Sequence, residues 1–164
     1  MGPSRILKKL FGIGPIGAGA SLILLFLAIR PDRALGHPKI LNSRLPLEIL
    51  GCLLIFTGLV LHFWTMYVLR NWWVKNRLCT RGPFRWFRHP MYAAWITFVS
   101  LGVALYLDSW MLLAWVAAQH PLWHWLVIHE ERIMAEYFHD EYRSYAARTG
   151  RFVPRLGAHI WLKR

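Results

Sequence analysis

The chain has 164 residues, is 56% hydrophobic with ten Trp, and carries a formal net charge of +12. That length suits one compact bundle, and the charges fall between long apolar runs instead of along a soluble face. The balance argues against nucleic acid as the partner and for a membrane with anionic lipid head groups. Cys52 and Cys79 share no motif spacing, so neither a disulfide framework nor a zinc site is expected.

Arg5, Lys8 and Lys9 precede the first apolar run in the manner of a signal peptide. The run ends in Ile29-Arg30-Pro31-Asp32 without a small-residue cleavage site, which predicts a retained span over Ile13–Ile29. Its early glycines (Gly14, Gly17, Gly19) permit close helix packing. Leu47–Leu69 follows as a second span, opened by Pro46 and carrying Glu48 near one end and His62 inside. His62 reads as a hydrogen-bonded residue of the bundle. A third, shorter segment over Tyr92–Leu107 meets a tight turn at Asp108-Ser109, and Trp110–Ile128 returns as a fourth. The expected fold is therefore an all-α integral membrane protein of about four transmembrane helices. The last two form a hairpin, and a C-terminal cytoplasmic helix follows. The single domain divides into two spans (1–69), a basic loop (70–91), the helical hairpin (92–128) and a tail helix and coil (129–164).

Sixteen of the twenty Lys and Arg lie in the N-terminal stretch, the 70–88 loop and the tail after residue 131. Four (Arg30, Arg33, Lys39, Arg44) lie in the first connection and none in the hairpin turn. The positive-inside rule then puts both termini, the loop and the tail on the cytoplasmic side. Along the tail, Glu130, Glu131, Met134, Phe138, Tyr142 and Tyr145 recur at three-to-four spacing. Gly150 and Pro154 end the helix, and Arg151-Phe152-Val153-Pro154-Arg155 reads as an interfacial coil.

The stretch Arg81-Gly82-Pro83-Phe84-Arg85-Trp86-Phe87-Arg88-His89-Pro90-Met91-Tyr92 is basic, aromatic and punctuated by proline. Pro90 suits the first position of a helix, which makes His89 its N-cap and the helix start a candidate anion site, with Arg88 as a further donor. At the other end of the hairpin, Glu130-Glu131 stand where the fourth span leaves the hydrocarbon. Paired carboxylates at that depth need a partner. Two readings stand: a structural ion pair with Arg85 or Arg88, or a site for an ammonium group. In the second, the two ends hold a zwitterion while Phe84, Trp86 and Tyr92 offer aromatic faces to a further positive charge. S-adenosylmethionine has a carboxylate, an ammonium and a sulfonium. His120 and His124, four apart, form a single pair with metal-ligand spacing, and no metal site is expected from them.

Taken together, Gly82-Pro83-Phe84, Arg88-His89-Pro90-Met91-Tyr92, Glu130-Glu131, and Tyr142 and Tyr145 before Pro154 resemble the isoprenylcysteine carboxyl methyltransferase and phospholipid methyltransferase superfamily. The pattern covers residues of about 70–155. The resemblance implies an S-adenosylmethionine-dependent membrane enzyme with its cofactor at the cytoplasmic end of the last spans. It implies His89, Pro90, Met91 and Tyr92 around the cofactor, Glu130 on its amino group, and Asn76-Arg77-Leu78-Cys79 lining the pocket. Phe84 stands where the family usually has Tyr, so a hydroxyl contact is lost while the ring remains. Where the isoprenylcysteine enzymes carry a substrate-linked Arg one turn before the Glu pair, this chain has Leu126, with Trp125 and His129 nearby. A carboxylate acceptor in a low-dielectric site needs a cation, so a lipid amine such as phosphatidylethanolamine is an equal expectation. Arg88, Trp125 and Leu126 are the expected substrate side, and Glu131 or His129 the base that an amine requires. The competing readings are a nicotinamide-dependent membrane reductase of the steroid-reductase type and a non-catalytic scaffold or transporter.

Overall fold

The computed structural model describes residues 13–41, 44–72 and 77–155. Four helices carry the fold: α1 (Ile13–Ala34), α2 (Leu45–Trp72), α3 (Pro90–Tyr106) and α4 (Trp110–Arg148). α1 and α2 are long and apolar enough to cross a membrane. Leu22, Ile23, Phe26 and Leu27 of α1, like Leu53, Phe56 and Phe63 of α2, are exposed, as lipid-facing side chains are. Such stripes have no reason to face water, and the fold is that of an integral membrane protein.

Successive helices run in opposite directions. α1 packs along α4 and α2 along α3, so the start of α1, the end of α2 and the loop before α3 gather at one end of the bundle. At the other end, Ser109 caps α4 by accepting the Leu112 amide at 3.2 Å, and its hydroxyl donates to the buried Asp32 of α1 at 2.6 Å. Asp108, at φ 51°, accepts the amides of Ile40 and Leu41 and ties the first connection over the hairpin turn. The tight turn at Asp108-Ser109 is thus observed.

Two close approaches set the helix spacing. A Cβ on Gly102 of α3 would lie 2.7 Å from the carbonyl oxygen of Gly51 on α2, so only glycine lets these backbones touch. α3 begins at Pro90, as its proline predicts, and widens to π geometry over Ala94–Val99. There His62 of α2 accepts a hydrogen bond from Trp95 Nε1 at 3.2 Å, as a bundle residue should.

α4 is longer than a span. It passes Pro121 and runs to Arg148, kinking at His139 (φ 46°, ψ −124°). Past the hydrocarbon, Met134, Phe138, Tyr142 and Tyr145 pack on Leu78, so the tail helix covers the basic loop. The final coil departs from expectation. Instead of lying at an interface, Phe152 is 1% exposed, buried with Phe87, Ile96, Trp123 and Val127. Backbone pairing puts it there: Gly150 and Arg151 carbonyls accept the amides of Arg88 and His89 at 2.7 and 3.2 Å. The Tyr145 hydroxyl further donates to the Phe84 carbonyl at 2.8 Å.

Candidate active site

Pro90 breaks the chain direction and places His89 at the mouth of α3, directly opposite the point where α4 carries its glutamates. His89 does not cap α3 with its side chain. Its ring turns to the carboxylates, with Nε2 3.3 Å from Glu131 Oε1 and Nδ1 3.5 Å from Glu130 Oε2. The expected separation between an anion pole at His89 and a cation pole at the glutamates is therefore absent, because both belong to one cluster. One turn into α3, the Tyr92 hydroxyl donates to Glu130 Oε1 at 2.9 Å, and its ring stacks on His89 and leans on Trp123.

The two glutamates are adjacent in sequence and opposite in environment. Glu131 receives Arg88 Nε at 2.8 Å and Arg151 in a fork, Nη2 at 2.8 Å and Nε at 3.1 Å. Burial alone would raise its pKa, but the His89 and Arg151 hydrogen bonds and the Arg88 charge win and hold it down at about 2. Glu130 has no Lys or Arg partner among the described residues and is 4% exposed. Burial pushes its pKa up to about 7 against the lowering Tyr92 bond, and the Glu131 charge adds to the rise. His89 is lowered, by burial first, which favours the neutral ring between Glu131 and Glu130. Glu130 is the group left wanting a cation.

Several expected site residues take other places. Arg88 is committed within the chain, its Nη1 donating to the Ala146 and Thr149 carbonyls at 2.7 Å each, so it is a clamp on the tail and not a free substrate donor. Glu131, held ionised by two guanidinium groups, is a poor base. His129 is exposed on another face of α4 and does not join the cluster. Trp125 is 70% exposed and Leu126 is half-buried. Leu78 is buried under Tyr142 and Tyr145, Cys79 is half-buried with its thiol pKa raised by burial, and Arg77 is exposed. Asn76 lies outside the described residues. Phe84 and Met91 are half-buried and Pro90 is buried beside the cluster. His120 and His124 face the Phe152 ring, which lies 4.8 Å from His124.

Sequence reasoning did not single out Arg151, Phe152 or Trp123. The first two lie in an irregular segment bounded by Gly150 and Pro154, where no periodicity marks them as part of a core or a site.

The phospholipid methyltransferase family model matches residues 47–141, more than half the chain, and includes His89, Tyr92 and both glutamates. The chain belongs to the phospholipid methyltransferase family. No curated protein matches it. Among solved structures it resembles the eukaryotic intramembrane Ras methyltransferase, isoprenylcysteine carboxyl methyltransferase, with a TM-score of 0.58 and 22% identity. The alignment covers 85% of this chain and 51% of that one, so the chain spans about half the length of that protein. At this identity the likeness shows a shared membrane fold. The matched family segment stops short of Arg151 and Phe152, which makes their junction with the glutamates a finding of the geometry alone.

Proposed function

We propose that the chain is an S-adenosylmethionine-dependent methyltransferase acting on a lipophilic acceptor at the cytoplasmic face of its membrane. One observation carries this reading: a buried glutamate without a Lys or Arg partner among the described residues, next to a second glutamate that has two. Structural ion pairing accounts for Glu131 and leaves Glu130 unexplained. A ligand ammonium completes Glu130, as the amino group of S-adenosylmethionine would. When bound, that cofactor supplies an electrophilic methyl on its sulfonium.

The chain's own groups do the rest. Glu130 releases its proton and holds the ammonium, and the Tyr92 hydroxyl fixes the carboxylate's orientation. Glu131 stays ionised and keeps His89 in place. Much of the rate then comes from positioning two reactants in line. A carboxylate or thiolate acceptor needs no base. For an amine acceptor, neutral His89 is the group able to take a proton, with Glu131 stabilising the imidazolium. That assignment replaces Glu131 and His129 in the role. Leu126 in place of an arginine supports a lipid amine over a carboxylate acceptor.

The test is thermal unfolding of the detergent-solubilised protein with saturating S-adenosylhomocysteine, since a ligand that binds only the folded state raises the melting temperature. A rise in the wild type and none in Glu130→Ala is expected. A rise with NADPH in its place would establish the reductase, and silence from both the scaffold.

A further inference from the structure

The kink at His139 brings the tail back over the glutamates. A straight helix from Glu131 to Ala146 would be about 22 Å long. Yet one guanidinium meets both, Arg88 donating from Nε to Glu131 at 2.8 Å and from Nη1 to the Ala146 carbonyl at 2.7 Å. The non-helical φ and ψ of His139 make that return possible. On the returning turns, Tyr142 and Tyr145 are both buried with Leu78. The Tyr145 hydroxyl is used within the chain, on the Phe84 and Phe87 carbonyls at 2.8 and 3.3 Å. The Tyr142 hydroxyl is not. Tyr142 is 5% exposed, and its oxygen has no hydrogen-bond partner among the described residues. The polar side-chain atoms sealed without a partner are, among those residues, Asp108 Oδ2 and Gln119 Nε2, so the Tyr142 oxygen keeps some open surface beside it. Burial first raises its pKa, and the charges it then feels are those of Glu131, Arg88, Arg151 and Glu130, which puts the hydroxyl at the rim of the carboxylate cluster.

We propose that Tyr142 is a cofactor-binding residue whose hydroxyl donates to the carboxylate at the amino-acid end of S-adenosylmethionine, while Glu130 holds the ammonium. The inference deepens the methyltransferase reading and rests on it. Charge decides which ligand group the hydroxyl meets. Arg88 and Arg151 bring two positive charges to Glu131, which offsets one of them. Glu130, once ionised, is neutralised by the ammonium and takes no part in that balance. An excess of positive charge is left where Arg88 clamps the Ala146 carbonyl, one turn from Tyr142. Both guanidinium groups direct their short hydrogen bonds within the chain, so their charge attracts an anion without supplying the directed contact. A phenol hydroxyl supplies it, since a donor to a carboxylate makes a short, charge-assisted bond. A neutral adenine or an apolar lipid chain gains nothing from that charge. Packing against Leu78 needs only the ring, which phenylalanine would provide equally, so the hydroxyl is the part of Tyr142 that packing leaves unexplained.

The experiment is titration calorimetry of the detergent-solubilised protein with two probes. One is S-adenosylhomocysteine, and the other is its decarboxylated analogue S-adenosyl-3-thiopropylamine, which keeps the ammonium and lacks the carboxylate. The wild type should prefer the first. In Tyr142→Phe that preference should fall about tenfold, through weaker binding of S-adenosylhomocysteine with the analogue's affinity unchanged. Tyr142→Phe gives up no bond within the described chain, so its unliganded melting temperature should equal that of the wild type. Tyr145→Phe gives up the Phe84 and Phe87 contacts, and it should melt lower while keeping the wild-type preference. Equal losses for both probes in Tyr142→Phe, or a preference that also collapses in Tyr145→Phe, would overturn the assignment in favour of a packing role. An unchanged preference in Tyr142→Phe would overturn it outright. A wild type that binds neither probe would overturn the methyltransferase reading itself, and the assignment with it.

Discussion

At the scale of single residues, the two glutamates differ in proton affinity because of partners that lie far away in sequence. Glu130 has its folded pKa raised to about 7. Its contribution to stability is therefore present below the ordinary carboxylate range and lost as pH rises through 7, where a buried carboxylate stands without a cation. Glu131 has the opposite sign: its contribution is present above about 4.5 and lost as pH falls toward 2. A ligand ammonium binds the ionised form of Glu130. Below pH 7 binding must expel a proton, so affinity for S-adenosylhomocysteine should rise about tenfold per pH unit up to about 7 and then level. Titration calorimetry in buffers of different ionisation enthalpy would show the proton leaving. In Glu130→Gln the affinity should be weak and flat with pH, and a flat profile in the wild type would remove Glu130 from the ammonium. At Glu131 the expectation concerns the tail. Arg151→Ala strips half of a buried fork and should cost on the order of 3 kcal/mol, read as a lower melting temperature, because it leaves a buried carboxylate under-paired.

At the scale of elements, what the sequence makes legible is what periodicity and punctuation can express. The two apolar runs, the Asp108-Ser109 turn, the Pro90 helix start and the three-to-four spacing from Met134 to Tyr145 each rest on local rules, and each appears in the structure. The Glu130-Glu131 site was legible too, since paired acids at the end of a span demand a partner. Which partner was not legible. His129 and Glu130 differ by one residue, about 100° of helix phase, and only packing decides which of them faces His89. Arg88 and Arg151 reach Glu131 from 43 and 20 residues away. Phe152 is a lone aromatic between Gly150 and Pro154, without period to mark it as core. The glycine crossing gives the test at this scale. Gly102→Leu puts a side chain where a Cβ already lies 2.7 Å from the Gly51 carbonyl and should cost about 1–3 kcal/mol as the helices part. Gly19→Leu, with nothing within 4 Å of its Cβ position, is the control and should unfold with the wild type.

At the scale of the whole molecule, the fold sorts its charge by end. The start of α1, the 77–89 loop and the tail gather at the glutamate end, where most of the arginines and lysines among the described residues lie, while the opposite end is tied by Asp32, Asp108 and Ser109. Charge bias of this kind is what the positive-inside rule expects of a cytoplasmic end. The carboxylate cluster sits at that end, so its placement has a consequence for topology. In intact cells or sealed vesicles of known orientation, a cysteine at Gly36, in a background of Cys52→Ser and Cys79→Ser, should react with a membrane-impermeant maleimide from the side opposite the cytoplasm. A cysteine at Arg85 should react only from the cytoplasmic side. Labelling of Arg85→Cys from outside would place the glutamate cluster on a face with no intracellular cofactor supply, which would overturn the cytoplasmic assignment while leaving the cluster's chemistry standing.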